Sequence, residues 1–443
     1  MSSHQTEVLI VGAGQAGVAM SEHLTSRGVP HVVLERDRVA ERWRSGRWDS
    51  LVANGPAWHD RFPGMTFEDV NPDGFTPKDR VADYFAAYAK KFDAPIHCGV
   101  EVTSVRRHEG KPGFQVETSA GTYDARYVVA ATGPFQRPVI PAVVPEASGL
   151  TQLHSSSYRN PQQLPAGGIM VVGAGSSGVQ IADELRRSGR QVTLSVGPHD
   201  RPPRQYRGKD FCWWLGVLDK WSVATPPKGA EHVTIAVSGA NGGLTVDFRT
   251  LAASGIKLVG RTRSYNNGIL SFAPDLARNI ANGDANYLSV LDEADAYIQR
   301  NGLDFPEEPE ARILGEDPAD VTNPTLDLDL AAAGITTIIW ATGFAVDYSW
   351  LPAEALDEHG RANHQRGVSA ESGIYFLGLP WQSHRGSSFI WGVWHDAKYV
   401  AEQITIQRSY LDHLKDVPLN PGQHTAAPLN ATRSESVVVP QGA

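Results

Sequence analysis

Two segments of the chain repeat one pattern of apolar and polar positions. Each has a short apolar run, then a glycine-rich turn, then apolar residues three to four positions apart. The first segment reads EVLIVGAGQAGVAMSEHL from Glu7, and the second reads GIMVVGAGSSGVQIADEL from Gly168. The apolar run predicts a buried strand, and the spacing after the turn predicts a helix. The pattern therefore predicts two strand–turn–helix units of the kind that open doubly wound α/β domains.

Both turns have the spacing G-x-G-x-x-G. Between a strand and a helix, such glycines allow a tight turn and let a pyrophosphate approach the helix N-terminus closely. The predicted contacts are Gly12, Gly14, Gln15, Ala16 and Gly17 in the first unit, and Gly173, Gly175, Ser176, Ser177 and Gly178 in the second. Two such units predict a protein that binds two dinucleotides.

The strand that follows each unit distinguishes the two ligands. The first, HVVLERD, ends in Glu35, whose carboxylate can accept the ribose hydroxyls of an ADP moiety. The same offset in the second unit falls on Val196, and Arg201 and Arg204 follow in the next loop. Guanidinium groups suit a 2′-phosphate, which a carboxylate would repel. The sequence therefore predicts FAD at the first site and NADPH at the second, with a solvated basic loop as the alternative for the two arginines.

Two further strands end in the same small-residue turn. One runs into Ala131-Thr132-Gly133 and the other into Ala341-Thr342-Gly343. Because small residues let the backbone approach a ligand, Thr132, Gly133, Thr342 and Gly343 are predicted cofactor contacts, the alternative being ordinary turns at strand ends. Residues 96–130 alternate apolar and polar positions between glycines, which predicts a β-meander.

The predicted fold is α/β, with two Rossmann-like dinucleotide-binding domains, and the NADPH domain is inserted in the FAD domain. Its expected parts are an FAD-binding first part (1–165), an NADPH-binding domain (166–335), an FAD-binding second part (336–410) and a disordered tail (411–443). Residues 205–315, rich in Gly, Asn and Pro, are expected to elaborate the NADPH domain.

Composition excludes several classes of protein. The 443-residue chain has a net charge of −9, which disfavours a nucleic-acid partner. No apolar run approaches the roughly 18 residues of a membrane span. The first strand begins almost at the N-terminus, which leaves no room for a signal peptide, so we expect a cytoplasmic location.

The cysteines exclude one kind of flavin chemistry. Only Cys98 and Cys212 occur, without the paired spacing that a redox dithiol requires. Neither a metal-ligand cluster nor a nucleophile elbow is present, so no metal is predicted. The difficult chemistry is therefore assigned to the flavin.

With these residues assembled, the chain resembles the class B flavoprotein monooxygenases, and among them the flavin-containing monooxygenase-like and N-hydroxylating branch. The fingerprints occur in the family's order, SLVANGPAWHDRFPG matches its Asn-containing turn, and SGLTQLHSSSYRN matches its linker motif through His154 and Tyr158. Baeyer–Villiger members tend to have Trp where Tyr158 stands.

The resemblance implies roles for particular residues. Asn54 would be a catalytic hydrogen-bond donor beside the flavin, although an Asn-Gly turn explains it equally well locally. Further cofactor contacts implied by the family are Arg36, Trp43, Val102 and Gly378.

The resemblance also implies an activity. The chain would be an FAD-dependent, NADPH-consuming monooxygenase that forms a C4a-hydroperoxyflavin from O₂. One oxygen atom would pass to a small nitrogen or sulfur nucleophile or to an electron-rich aromatic substrate. The alternatives are a Baeyer–Villiger monooxygenase and a flavin-dependent NAD(P)H oxidase or reductase. Neither a nucleic acid nor a membrane is expected as partner, and a homodimer is left open.

Overall fold

The computed structural model describes residues 3–226 and 234–416. It confirms the predicted α/β class with two Rossmann-like units. The strands are β1 (Ser3–Val11), β2 (His31–Glu35), β3 (Val52–Pro56), β4 (Phe75–Pro77), β5 (Ile96–Cys98), β6 (Val102–Arg107), β7 (Phe114–Thr118), β8 (Gly121–Ala130), β9 (Arg137–Pro138), β10 (Thr151–His154), β11 (Gly168–Val172), β12 (Val192–Ser195), β13 (Gln205–Tyr206), β14 (Lys209–Asp210), β15 (Lys257–Val259), β16 (Thr262–Asn266), β17 (Ile269–Phe272), β18 (Asp327–Asp329), β19 (Ile335–Trp340), β20 (Phe344–Ala345), β21 (His364–Gln365), β22 (Val368–Ser369) and β23 (Ile374–Phe376). The helices are α1 (Gln15–Thr25), α2 (Glu41–Arg44), α3 (Lys78–Lys91), α4 (Ser176–Arg187), α5 (Phe211–Val217), α6 (Phe248–Ala253), α7 (Leu276–Asn301), α8 (Ala319–Thr322) and α9 (Ile390–Asp416).

The first sheet contains the first fingerprint. Its strand order is β21-β22-β23-β8-β1-β2-β5, and β1 pairs in parallel with both β8 and β2. Val8 and Ile10 of β1 are fully buried in a core that includes residues of α1, α3 and α9. The predicted meander is present as the antiparallel run β6-β7-β8, but Ile96–Cys98 instead joins the parallel sheet beside β2. That edge position places the residues after β5 near the end of β2.

The second sheet contains the second fingerprint and is parallel throughout. Its order is β10-β19-β11-β12-β15. Along the chain, the strands of this sheet run from Thr151 in β10 to Trp340 in β19. They therefore extend beyond the predicted range 166–335 at both ends. The chain then returns to the first sheet through β23, which pairs with β8.

The C-terminal part of the described chain is a long helix. Helix α9 continues to Asp416, so residues 411–416 are helical and do not belong to the predicted disordered tail; 417–443 lie outside the described residues. In residues 205–315, α5 and α7 form a separate apolar core around the fully buried Trp214. None of the described helices combines the length and apolarity needed to cross a membrane.

Candidate functional site

A cavity of about 420 Å³ lies at the carboxyl end of β1, where α1 begins. Eleven of the residues predicted for the FAD site line it: Gly12, Gly14, Gln15, Ala16, Glu35, Arg36, Trp43, Val102, Thr132, Gly133 and Gly378. Gly17 is not among them, because it packs inside the turn. A Cβ added to Gly17 would lie 1.8 Å from the Gly12 carbonyl oxygen. The fold thus brings together residues from β1, β2, β8 and the C-terminal return of the chain.

In the first fingerprint, Gly14 leaves room for a ligand, whereas Gly12 lies against the backbone of a neighbouring turn. Gly12 has φ +102°, and a Cβ there would lie 2.8 Å from the Ala131 carbonyl oxygen, so the Ala131-Thr132-Gly133 turn sits against the fingerprint. A Cβ on Gly14, in contrast, would meet nothing within 4 Å. The N-terminus of α1 therefore faces open space, as an approaching diphosphate requires.

Glu35 lies at the end of β2 with its carboxylate toward the fingerprint. Oε2 accepts a hydrogen bond from the Ala13 backbone N–H at 2.7 Å, and Oε1 accepts one from the Asp37 N–H at 2.9 Å. A carboxylate can accept about four hydrogen bonds, so capacity for two ribose hydroxyls remains. These two bonds hold the group in position before any ligand arrives.

Two arginines that line the cavity, Arg42 and Arg47, were not predicted from the sequence. Arg42 donates to the Gln136 carbonyl at 3.1 Å, and the Arg47 guanidinium lies 4.5 Å from the centre of the Phe135 ring. Neither forms an ion pair with a carboxylate in the described part of the chain. Burial, together with the charge of Arg42, lowers the pKa of Arg47 to about 10. No motif marks these residues in ERWRSGRW. Their positive charge suits a cavity that receives a diphosphate.

The second fingerprint repeats the first turn but is covered by the chain. Gly173 has φ +113°, and a Cβ there would lie 2.4 Å from the Ala341 carbonyl oxygen, so the second small-residue turn also contacts its fingerprint. The Ile235 carbonyl accepts hydrogen bonds from both the backbone N–H and the hydroxyl of Ser176, each at 2.9 Å. A diphosphate at the α4 N-terminus would compete with this carbonyl and find the N–H groups of Ser177 and Gly178 as the remaining donors.

The linker motif holds the second small-residue turn in place. His154 is buried, and its Nε2 lies 2.9 Å from the Gly343 carbonyl oxygen. Thr342 donates its hydroxyl to the Val139 carbonyl at 2.5 Å. Tyr158 is fully buried and donates to Glu184 of α4 at 2.8 Å. The motif therefore has a structural role, connecting the start of the second sheet to α4.

Arg201 and Arg204 do not stand where a 2′-phosphate could reach them. Both side chains are almost completely buried, with 2% and 1% exposed. Arg201 bonds to Asp284 through Nε at 2.9 Å, and Arg204 bonds to Asp210 at 2.6 Å. A buried guanidinium keeps a carboxylate partner because an unpaired buried charge is costly. The prediction of a 2′-phosphate role for these two arginines is therefore replaced by a structural role, and the solvated-loop alternative is excluded as well.

Asn54 lies inside strand β3 rather than in an Asn-Gly turn. Its Oδ1 accepts a hydrogen bond from Gln180 of α4 at 2.9 Å, and its backbone carbonyl accepts one from Arg204 at 2.6 Å. The following residue, Gly55, donates its N–H to Asp60 at 3.0 Å. The side chain is thus oriented by the second domain, and its Nδ2 makes no hydrogen bond to any described residue. This geometry removes the turn explanation and leaves a free amide donor.

Metal chemistry has no support in the described ranges. Among residues 3–226 and 234–416, no group of three or more His, Cys, Asp or Glu side chains is arranged to hold a metal ion.

Comparisons with known proteins agree with this geometry. Residues 9–210 match the family model described as pyridine nucleotide-disulphide oxidoreductase. An oxidoreductase of Geobacillus kaustophilus designated CzcO-like is 35% identical over 406 residues, covering 90% of this chain and 99% of that protein. A probable indole-3-pyruvate monooxygenase, YUCCA4 of Arabidopsis thaliana, is 26% identical over 412 residues, 90% of each chain. The solved flavin-containing monooxygenase of Stenotrophomonas maltophilia superposes with a TM-score of 0.63 at 19% identity, covering 91% of this chain and 99% of that one.

Replacing Glu35 tests the first site. Glu35→Ala removes the acceptor for the ribose hydroxyls, so we expect folded protein that is purified with little flavin. The bound flavin is measured by absorbance after denaturation, and the melting temperature reports folding. Glu35→Gln keeps the shape and one acceptor oxygen, so it should retain more flavin than Glu35→Ala. Full flavin loading of both variants would contradict the assignment.

Replacing Asp284 tests the structural role of Arg201. Burial raises the pKa of Asp284, but hydrogen bonds from Arg249 and Arg201 outweigh it and hold the pKa below its ordinary value. Asp284→Asn removes the carboxylate that bonds directly to the buried Arg201 and leaves it with the more distant Asp247 carboxylate at 4.0 Å, which should cost up to about 3–5 kcal/mol of unfolding free energy. Asp317→Asn, at a half-exposed partner of Arg249, should cost less than about 1 kcal/mol. Urea unfolding measures the unfolding free energy of both variants. Equal losses would show that the buried pair contributes no more to stability than the half-exposed one.

Proposed function

Since the chain belongs to the family of the CzcO-like oxidoreductases, we propose that it is a class B flavoprotein monooxygenase, which transfers one oxygen atom of O₂ to a small nitrogen or sulfur nucleophile or an electron-rich aromatic substrate. FAD and NADPH are the cofactors of this family, as the two fingerprints predict. FAD, when bound, would accept a hydride from the nicotinamide and then activate oxygen.

One observation carries the proposal. The cavity at the first fingerprint combines an open helix N-terminus at Gly14 with the carboxylate of Glu35 at the end of the neighbouring strand. These two features match the diphosphate and the ribose of a dinucleotide, respectively. The guanidinium groups of Arg42 and Arg47, which form no ion pair with a described carboxylate, add positive charge to the same cavity. The residues present therefore fit FAD.

Three of the chain's own residues would support the reaction where the two domains meet. Gln180 of α4 and Arg204 both bond to Asn54, so the position of this amide depends on the nicotinamide-binding domain. A free Nδ2 donor there would fix the reacting groups by hydrogen bonding, and a fixed donor needs little reorganisation during the reaction. Asn54 would act as a hydrogen-bond donor and not as an acid or base.

The cysteines support the proposal over disulfide reduction. Cys98 is exposed at the edge of the first sheet in β5, whereas Cys212 is buried in α5. Burial raises the pKa of the Cys212 thiol well above its usual range, so it is a poor thiolate nucleophile. A dithiol beside the flavin, which disulfide exchange would need, is therefore absent from the described residues.

The experiment for the proposed function uses the purified holoenzyme. After anaerobic reduction with NADPH, the enzyme is mixed with oxygen in a stopped-flow spectrometer. A monooxygenase should show a flavin species that lasts for seconds before the oxidised spectrum returns. Direct return to the oxidised spectrum, with all of the oxygen appearing as peroxide, would instead identify an NAD(P)H oxidase. A panel of amines, thioethers and cyclic ketones then distinguishes N- or S-oxygenation from Baeyer–Villiger oxidation by the product formed.

Asn54→Ala tests the proposed donor. Flavin content should stay near normal, because Asn54 does not line the cavity at the first fingerprint. NADPH oxidation should become uncoupled from oxygen transfer, so that peroxide per NADPH rises several-fold. Asn54→Asp is the matched variant: it keeps the size and an acceptor for Gln180 but loses the Nδ2 donor, and should be uncoupled as well. Coupled turnover in both variants would remove Asn54 from the reaction.

A further inference from the structure

The end of β12 lacks an acidic residue that would contact the adenosine ribose of the second dinucleotide. Val196 occupies the position that corresponds to Glu35, and its side chain is completely buried. The neighbouring Ser195 hydroxyl donates to the Gly260 carbonyl at 2.9 Å and is approached by the Thr262 N–H at 3.1 Å. Arg201 and Arg204, the residues predicted to bind the 2′-phosphate, are both bound to carboxylates. Neither of them can therefore bind the phosphate.

The topology of the first sheet indicates which other residues of the second domain lie near the adenosine ribose. There, β5 is the edge strand beside β2, and the residues that follow β5 line the cavity: Val100, Glu101 and Val102. In the second sheet, β15 is the edge strand beside β12. The residues that follow it are Gly260, Arg261 and Thr262, so Arg261 occupies the corresponding place in the second domain.

Arg261 is positioned beside the end of β12 and is open to solvent. Its Cγ lies 3.3 Å from where a Cβ on Gly197 would be, directly after Val196. Its side chain is 55% exposed, and its Nε donates to Asp275 at 2.6 Å. The Asp275 carboxylate also accepts the Arg261 backbone N–H at 3.1 Å. The two terminal nitrogens of the guanidinium bond to no described residue, so they form an oriented pair of donors.

The surrounding charges favour an anion at this guanidinium. Among the residues that the structure describes, Asp275 is the carboxylate that bonds to Arg261, and its side chain is 4% exposed. Arg278 lies 3.9 Å from the same carboxylate with 67% of its side chain exposed, so two cations share one buried anion. Asp275 also precedes α7, a 26-residue helix whose N-terminus carries partial positive charge.

We propose that Arg261 binds the 2′-phosphate of NADPH and thereby sets the preference of this chain for NADPH over NADH. This inference rests on the proposed function only in taking the second fingerprint as the nicotinamide-dinucleotide site. Two parallel N–H donors on a planar guanidinium match two phosphate oxygens, and the bond to Asp275 prevents the side chain from turning away. An NADH ribose offers no charge to this group, so its binding should depend little on Arg261.

The test compares Arg261→Ala with Arg263→Ala, an exposed arginine two residues further along the same stretch of chain. Binding of 2′,5′-ADP and of 5′-AMP to the oxidised holoenzyme is measured by calorimetry, and KM is measured for NADPH and NADH. Arg261→Ala should weaken 2′,5′-ADP binding and raise the NADPH KM about ten- to a hundredfold. Binding of 5′-AMP and the NADH KM should change less than about twofold, and Arg263→Ala should resemble the wild type.

Equal losses for both coenzymes, or an unchanged discrimination between 2′,5′-ADP and 5′-AMP, would overturn the inference. Wild-type protein that binds 5′-AMP as tightly as 2′,5′-ADP would overturn it too. If neither NADPH nor NADH reduced the flavin, the proposed function would be contradicted instead. The calorimetric comparison would still decide the role of Arg261. Arg261→Lys keeps the charge without the paired donors and should give an intermediate loss.

Discussion

The structure depends on a close approach of backbone to backbone at the carboxyl edge of each sheet. In both fingerprints the last glycine packs against the first: a Cβ on Gly17 or Gly178 would lie 1.8 Å from the carbonyl oxygen of Gly12 or Gly173. No side chain fits at that distance, so the turn can close only with glycine. Closing the turn brings the helix N-terminus over the strand end, and this is the feature that makes each domain a dinucleotide site.

The same constraint explains why the two small-residue turns recur. Each follows a strand adjacent to the fingerprint strand, and Ala131 and Ala341 contact the first glycine through their carbonyl oxygens. Larger residues would separate the neighbouring strands where the ligand must enter. The two turns are recognisable in the sequence as a repeat, but the sequence does not show where they lie in the fold. Their contact with the fingerprints depends on strand order, which local pattern does not encode.

Charge proved much harder to predict from sequence than glycine geometry. The fingerprint glycines and Glu35 were predicted because each depends on local spacing, whereas most of the residues that line the cavity were not predicted. Arg201 and Arg204 were misread because their carboxylate partners lie elsewhere: Asp284 comes from α7, and Asp210 precedes α5. Spacing gives no information on such pairs, whereas a buried arginine requires one. Arg261 was not predicted for the converse reason, since only the position of β15 beside β12 brings it next to the end of β12.

The two fingerprints also differ in how ready they are for a ligand. A Cβ on Gly14 would meet nothing within 4 Å, but one on Gly175 would lie 3.1 Å from the Thr234 side chain. The first helix N-terminus is open, whereas the second already satisfies one donor through the Ile235 carbonyl. Since satisfying a helix donor internally removes part of the free energy available to a diphosphate, the second site should bind its dinucleotide more weakly than the first. Such a difference suits a chain that retains one dinucleotide through the reaction cycle and exchanges the other.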